Sequence, residues 1–324
     1  MTYPLRWFLP GVLYEITTRT IQERFLLRPG HRSRELIVGV IGRAQELYPA
    51  VQLHAFSYMS NHAHLLLSSS DGEQLALFLG FVNGQVARVM GRLHDWRGPF
   101  WGRRFRPIPA LDAPSMIARL RYVMAQGVKE GLVASPRDWP GASSTPGLLA
   151  DMAVVGTWID RDAETRARRR GGPVEPRAFE KVYIVVLTPI PPWAGLHRAE
   201  LVARHRALLE DIERAARGAP ILGAEAVLSA HPHARPEAPA RSRAPLCHAS
   251  TTFLRRAFRR LYADMVATYR AAAAALRAGA PREACGFPEG SFPPRLPYVG
   301  PVDPGALPWA FAVPTTADPT GAVA

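Results

Sequence analysis

The chain has 324 residues, 48% of them hydrophobic, enough for one large or two modest domains with a buried core. No run of about 18 apolar residues occurs, which sets aside a transmembrane helix, and with only Cys247 and Cys285 neither a disulfide framework nor a multi-cysteine zinc site can be built. Forty basic residues against 27 acidic ones give +13, a surplus that favours a polyanionic partner, most simply nucleic acid, over a membrane.

All of the basic residues are arginine except Lys129 and Lys181. Arginine offers a planar fork of donors suited to phosphate oxygens. Base-composition bias in an Ala-, Pro- and Gly-rich chain accounts for part of that preference, but not for the surplus over acids. The opening "MTYPLRWFLPGVLY" carries one arginine and has prolines within its apolar part. It does not fit a signal peptide, so a cytoplasmic location is expected.

In chain order, "GVLYEITTRT" (11–20) reads as a β-strand. Residues 33–48 carry a helical apolar stripe (Leu36, Ile37, Val40, Ile41, Ala44, Leu47), with Ser33 as the expected N-cap. "VQLHAFSYM" (51–59) is extended, with Val51, Leu53 and Ala55 expected on one face. "HAHLLLS" (62–68) pairs back after a Met-Ser-Asn turn as an antiparallel hairpin. A long helix follows at 73–94, then a strand near "FRPIPA", then a helix at about 114–126. This β-α-β-β-α-β-α order predicts an α+β fold: a ferredoxin-like antiparallel sheet with helices packed on one face.

After Trp139-Pro140 the texture changes, and the chain divides into a domain at 1–145 and a basic, mostly helical extension at 146–324. Within the extension, 146–180 reads as loop around "RARRR" (166–170), 181–190 as a strand and 198–217 as a helix. The Pro/Ala/Arg-biased 230–246 reads as a linker, 251–278 as helical, and "FPEGSFPPRLPYVGP" as an extended tail. Neither "FPEGSFPP" nor the extension as a whole suggests a mechanism. Its "RARRR" and "LRRAFRR" runs suit either DNA contact or solvated helix faces.

Three stretches could carry chemistry. On a strand, His62 and His64 project to one face while Ala63, Leu65 and Leu67 share the other, which looks core-directed. Two imidazoles side by side can hold a divalent cation, yet histidines at this spacing are also ordinary on half-exposed strands. On the 114–126 helix, Met116, Ile117, Leu120, Val123 and Met124 form an apolar side. Tyr122 lies opposite that side with Gln126 one turn on. This suits a nucleophile beside an oxygen ligand, and equally a plain surface tyrosine. "RVMGRLHDWRGPFWGRRFR" holds six arginines (Arg88, Arg92, Arg97, Arg103, Arg104, Arg106) against one acid, Asp95. Trp96, Phe100, Trp101 and Phe105 are interleaved with them, a mixture that suits single-stranded nucleic acid. At least two of Phe100, Trp101 and Phe105 are expected to be partly core.

Together these stretches resemble a known family. "MSNHAHLLL" is similar to the His-hydrophobic-His signature of HUH single-strand endonucleases. "GPFWGRRF", "LRYVMAQGVKEGLV" and "DWPGASS" resemble, in order and spacing, the single-tyrosine transposase domain, over about residues 8–145. The branch most similar is the REP-associated tyrosine transposases, whose corresponding segment reads Tyr-Ile-x-x-Asn-Pro-x-x-Ala-Gly-Leu-Val. This chain departs from it with Gln126-Gly127 in place of Asn-Pro and Glu130 in place of Ala.

The resemblance implies that His62, His64 and Gln126 hold Mg²⁺ or Mn²⁺ and that Tyr122 is the nucleophile. It implies cleavage of single-stranded, hairpin-flanked DNA through a covalent 5′-phosphotyrosine, and strand transfer by reversal. The arginines of 88–106 with Trp96 would then hold the DNA, and a homodimer is compatible with the reading. The alternative is a domesticated, non-catalytic DNA-binding protein of the same fold. Replication initiation or plasmid relaxation by another HUH branch fits less well, because neither a helicase nor a third histidine is evident.

Overall fold

A computed structural model describes residues 4–171, 175, 177–236 and 244–295. Its centre is a βαββαβ unit: β1 (Leu13–Arg19), α1 (His31–Leu47), β2 (Val51–Tyr58), β3 (His62–Ser69), α2 (Gly72–Leu93) and β4 (Arg106–Ala110). The four strands run in the order β2-β3-β1-β4 with every neighbouring pair antiparallel, the expected ferredoxin-like α+β arrangement. Asp71 caps α2 by accepting from the backbone N–H groups of Glu73 and Gln74. Ser33, the expected cap of α1, lies inside its first turn instead. Gly30 takes the cap position, and the Ser33 hydroxyl donates to the carbonyls of Arg28 and Gly30.

Alternation along the strands builds two cores. Tyr14, Ile16, Ala63, Leu65 and Leu67 pack with α1 and α2 on one face, whereas Leu13, Leu66 and Ala110 turn to the other. The layer expected on one face is thus α1 and α2. A further helix, α3 (Ala113–Met124), covers the opposite face through Leu120, Val123 and Met124. β2 contains a bulge at His54, where the pairing steps from Leu53↔Leu67 to Ala55↔Leu66. Leu53 therefore joins the first core and Ala55 the second, not one shared face as unbroken alternation predicts. His54 is buried, its Nδ1 3.0 Å from the carbonyls of Thr188 and Pro189 and its Nε2 2.9 Å from the Ser68 hydroxyl.

Both sheet edges are partly covered. Beside β2 the "DWPGASS" segment adds a bridge at Ser57↔Ser143, with Tyr58 N–H donating to Ala142 and Ser144 N–H to Phe56. The Trp139 indole donates to the Tyr58 carbonyl at 3.0 Å. Beside β4, Ala110 bridges His248 in parallel fashion. These contacts cover part of each edge, at Ser57 on β2 and at Ala110 on β4.

Residues 146–180, expected as loop, hold α4 (Gln126–Lys129)'s downstream neighbours α5 (Thr145–Leu148), β5 (Val155–Ile159) and α6 (Arg161–Arg169). β5 pairs antiparallel with β6 (Glu180–Ile184), which is shorter than the strand expected over 181–190. α6 is capped by Asp160 and buries no side chain, so "RARRR" lies on a solvated helix. The β5–β6 ribbon lies against α1, where Gly39 and Gly156 let the two backbones meet; a Cβ on either would overlap the other's main chain. Gly156→Ala should therefore cost about 3 kcal/mol, at the upper end of overpacking because backbone cannot rotate away. Urea unfolding read by fluorescence measures it.

α7 (Arg198–Ala215) packs outside α3, where Arg121 Nε lies 2.6 Å from Asp211. After α8 (Ala224–Ser229), part of the expected linker, 237–243, lies outside the described residues. α9 (Thr252–Arg277) follows, capped by Thr251. "FPEGSF" then clasps the start of the chain: Phe8 N–H donates to Gly290 at 2.9 Å, the Trp7 indole donates to Glu289 at 2.8 Å, and Phe292 meets Phe8 edge-on. Gly290 has φ +72°, and a Cβ there would overlap the Phe8 carbonyl, so only glycine fits. The rest of the expected tail, 296–301, lies outside the described residues. Among the described residues no helix is long and apolar enough to cross a membrane.

Candidate metal and nucleophile site

The register sets the site's floor. Thr17 lies opposite His64 and Arg19 opposite His62, so Glu15, Thr17, His62 and His64 share the α3 face of the sheet. Only 6% of His62 and 4% of His64 is exposed, and their ring centroids are 5.1 Å apart.

Neighbouring groups fix the tautomers. Asn61 donates its amide to the Glu23 carbonyl at 3.2 Å, which turns its Oδ1 toward His62 Nδ1 at 2.7 Å. His62 Nδ1 must then carry the proton, leaving Nε2 bare. Burial, reinforced by the adjacent His64, holds the His62 pKa well below its ordinary value, so the ring is neutral. His64 Nδ1 lies 3.0 Å from Glu15 Oε1 and 3.3 Å from the Thr17 hydroxyl. Burial alone would raise the Glu15 carboxyl, but contacts with His248 and His64 hold it far below the usual carboxylate range. Ionised Glu15 accepts from His64 Nδ1–H, which turns His64 Nε2 away from the carboxylate.

The opposite wall comes from α3. Asp112 caps it in a reciprocal box with Ser115, and Pro114 sits in its first turn. The helix expected over 114–126 breaks at Ala125, and a separate turn, α4, begins at Gln126. Gly127 sits at the break because a Cβ there would approach Val133 and Trp139 to 2.9 and 3.1 Å. Gln126 is fully buried, and its Nε2 donates back to the Tyr122 carbonyl at 2.9 Å. Its Oε1 is thereby aimed at His62 Nε2, 3.5 Å away.

Two acceptors with no proton between them thus face each other in a buried place. A cation between them supplies what they lack, so the donor set of two imidazole nitrogens and one amide oxygen fits a divalent metal. Among the described residues no group of three or more His, Cys, Asp or Glu could hold a metal ion.

The Tyr122 ring is half-buried with its centroid 5.3 Å from that of His64 in the same chain. Two cations flank it: the Arg119 guanidinium 4.6 Å and the Lys129 ammonium 5.2 Å from the ring centre. Glu15 was not among the residues singled out from sequence. Its signal was an acid in mid-strand, sharing a face with both histidines. Its Oε2 lies 3.4 Å from Arg119 Nη1 and 2.9 Å from His248 Nε2.

The basic segment divides in two. Arg88, Arg92, Arg97, Arg103 and Arg104 are exposed. Arg106 is not a free cation: its Nη2 donates to the carbonyls of Ala244 and Pro245 at 2.7 and 3.0 Å. Trp96 is also engaged, its indole donating to Pro99 and its ring against Arg24 and His233. Phe100 is buried, and Trp101 and Phe105 pack partly against the first core, as expected of at least two of the three. Gly102 N–H donates to the Arg19 carbonyl and Trp101 bridges Thr20. Arg103 and Arg104 therefore follow directly on a loop tied to the His62 end of β1.

No protein-family profile matches this chain, and no curated protein does. Among solved structures, it is similar to a REP-associated tyrosine transposase bound to a REP hairpin, at 18% identity and a TM-score of 0.40, over 46% of this chain and 86% of that one. It is also similar to a candidate transposase from Deinococcus radiodurans, at 17% identity and a TM-score of 0.28, over 39% of this chain and 98% of that one.

Proposed function

We propose that the protein is a transposase-like, metal-dependent endonuclease and strand transferase acting on single-stranded, hairpin-flanked DNA. One observation carries this: two buried imidazoles, His62 and His64, and the Gln126 amide oxygen lie beside a tyrosine bracketed by two cations. A bound Mg²⁺ or Mn²⁺ supplies charge to polarise the scissile phosphate and stabilise the leaving oxygen. The residues do the rest. Tyr122 Oη attacks phosphorus as the bond to the 3′ oxygen breaks, giving a 5′-phosphotyrosine and, after protonation, a free 3′-OH. The phenol proton passes to water. Lys129 and Arg119 stabilise the negative charge that develops on the phenol oxygen. Lys129 remains protonated: burial disfavours its charge, but Glu130 and Tyr122 more than compensate and raise its pKa. A second 3′-OH reverses the step and joins strands without an external energy source.

The exposed arginines would grip the backbone, Arg103 and Arg104 nearest the cut. Each phosphate contact releases counterions, so Arg103→Ala and Arg104→Ala should each flatten the log K against log salt slope by roughly 0.7–0.9. Fluorescence anisotropy across a salt series reads this. The decisive experiment incubates the protein with labelled single-stranded hairpins and Mn²⁺ and looks for an SDS-resistant protein–DNA adduct. An adduct that needs the divalent ion is expected. None across a broad hairpin library leaves only a DNA-binding protein of this fold.

A further inference from the structure

We propose that the C-terminal extension completes the active site through His248, a positioning residue that holds Glu15 in register with His64; this rests on the metal-site reading above. Glu15 is 3% exposed and works in two directions: Oε1 meets His64 Nδ1 at 3.0 Å, and Oε2 meets His248 Nε2 at 2.9 Å. The other group at Oε2, the Arg119 guanidinium, stands farther off at 3.4 Å and also covers the Tyr122 ring. His248 is thus the nearer of two groups against Oε2; its Nε2 makes no hydrogen bond in this geometry, and its 2.9 Å approach limits the rotation of the carboxylate by position. That rotation decides which lone pair meets His64 Nδ1, and hence where His64 Nε2 points.

His248 is held there by backbone. Its N–H donates to the Pro109 carbonyl at 2.8 Å and its carbonyl accepts from Leu111 N–H at 2.9 Å, adding a short parallel segment beside β4. Arg106 anchors the preceding residues by donating to Ala244 and Pro245. Two residues on, the Ser250 N–H and hydroxyl both donate to Asp112 Oδ2, at 2.9 and 2.5 Å. Asp112 is also the N-cap of α3, the helix that carries Tyr122. One segment therefore ties the metal-facing strand pair to the nucleophile helix. A cavity of about 490 Å³ opens between this segment and Arg119, so the imidazole is not a packing element locked in the core.

The test is Mn²⁺ affinity of the full-length protein without DNA, measured by EPR titration. His248→Ala should weaken Mn²⁺ binding about 10-fold or more, the scale set by groups that orient metal ligands. His248→Gln, which keeps a donor at similar reach, should restore most of it. In a Glu15→Gln background, His248→Ala should add little, since both act through one carboxylate. If the alanine variant does not fold, His248→Asn, too short to reach, stands in for it. Wild-type affinity in His248→Ala, or losses that simply add in the Glu15→Gln background, would overturn the proposal alone. Absence of Mn²⁺ binding in the wild type would overturn it together with the metal site.

Discussion

Tyr122→Phe should abolish the covalent adduct, to below about a thousandth of wild type, while leaving hairpin affinity and unfolding midpoint within error. The change deletes one oxygen. The phenyl ring keeps its place 5.3 Å from His64 and its contacts with Arg119 and Lys129. Lost activity therefore reports a lost nucleophile and not a collapsed site, and removing a nucleophile outright has effects of this order or larger. An adduct that persists in Tyr122→Phe would assign the covalent bond to another residue, and the half-buried Tyr262 and Tyr269 on α9 would be the next to replace.

His62→Ala should remove Mn²⁺ binding by at least about 100-fold, more than loss of an outer partner costs, and with it the adduct. Chelation of the wild type should give the same phenotype. The pH profile is a sharper check. Burial lowers the His62 pKa from 6.5, so protons compete for its Nε2 only in more acidic solution. Mn²⁺ affinity should therefore stay nearly flat as pH falls from about 8 to about 6.5. A steep loss across that window in wild type, read by EPR at several pH values, would count against a metal site whose pH dependence is set by the buried His62.

Much of the central fold was legible because its elements obey simple periods. The strands at 11–20, 51–59 and 62–68 and the helices at 33–48 and 73–94 meet their observed spans within about two residues, although the bulge at His54 splits the apolar stripe expected on 51–59. What escaped reading had local causes. β5 is five residues long and contains Gly156, whose purpose is visible only when Gly39 lies across it. α6 buries nothing, so it has no apolar period to detect. The break at Ala125 was foreshadowed by the unusual Gln126-Gly127 pair, but its effect, turning Gln126 back onto Tyr122, depends on Trp139 packing beneath Gly127. His248 sits between the stretch read as linker (230–246) and the helix read at 251–278, where no period marks it, and its meaning comes from a contact with a residue over 200 positions earlier.

The extra residue at His54 decides which side chains of β2 face α3. Had the alternation of Val51 and Leu53 run on unbroken, Phe56 and Tyr58 would point at α3, with Phe56 across from His64. The step in pairing instead sends both rings to the α1 side and sets Ser57 opposite His64. Two aromatic side chains are thereby kept out of the space above the histidines, and a hydroxymethyl group takes their place. A single inserted residue in a neighbouring strand thus decides whether aromatic rings or a hydroxymethyl group stand beside the histidines.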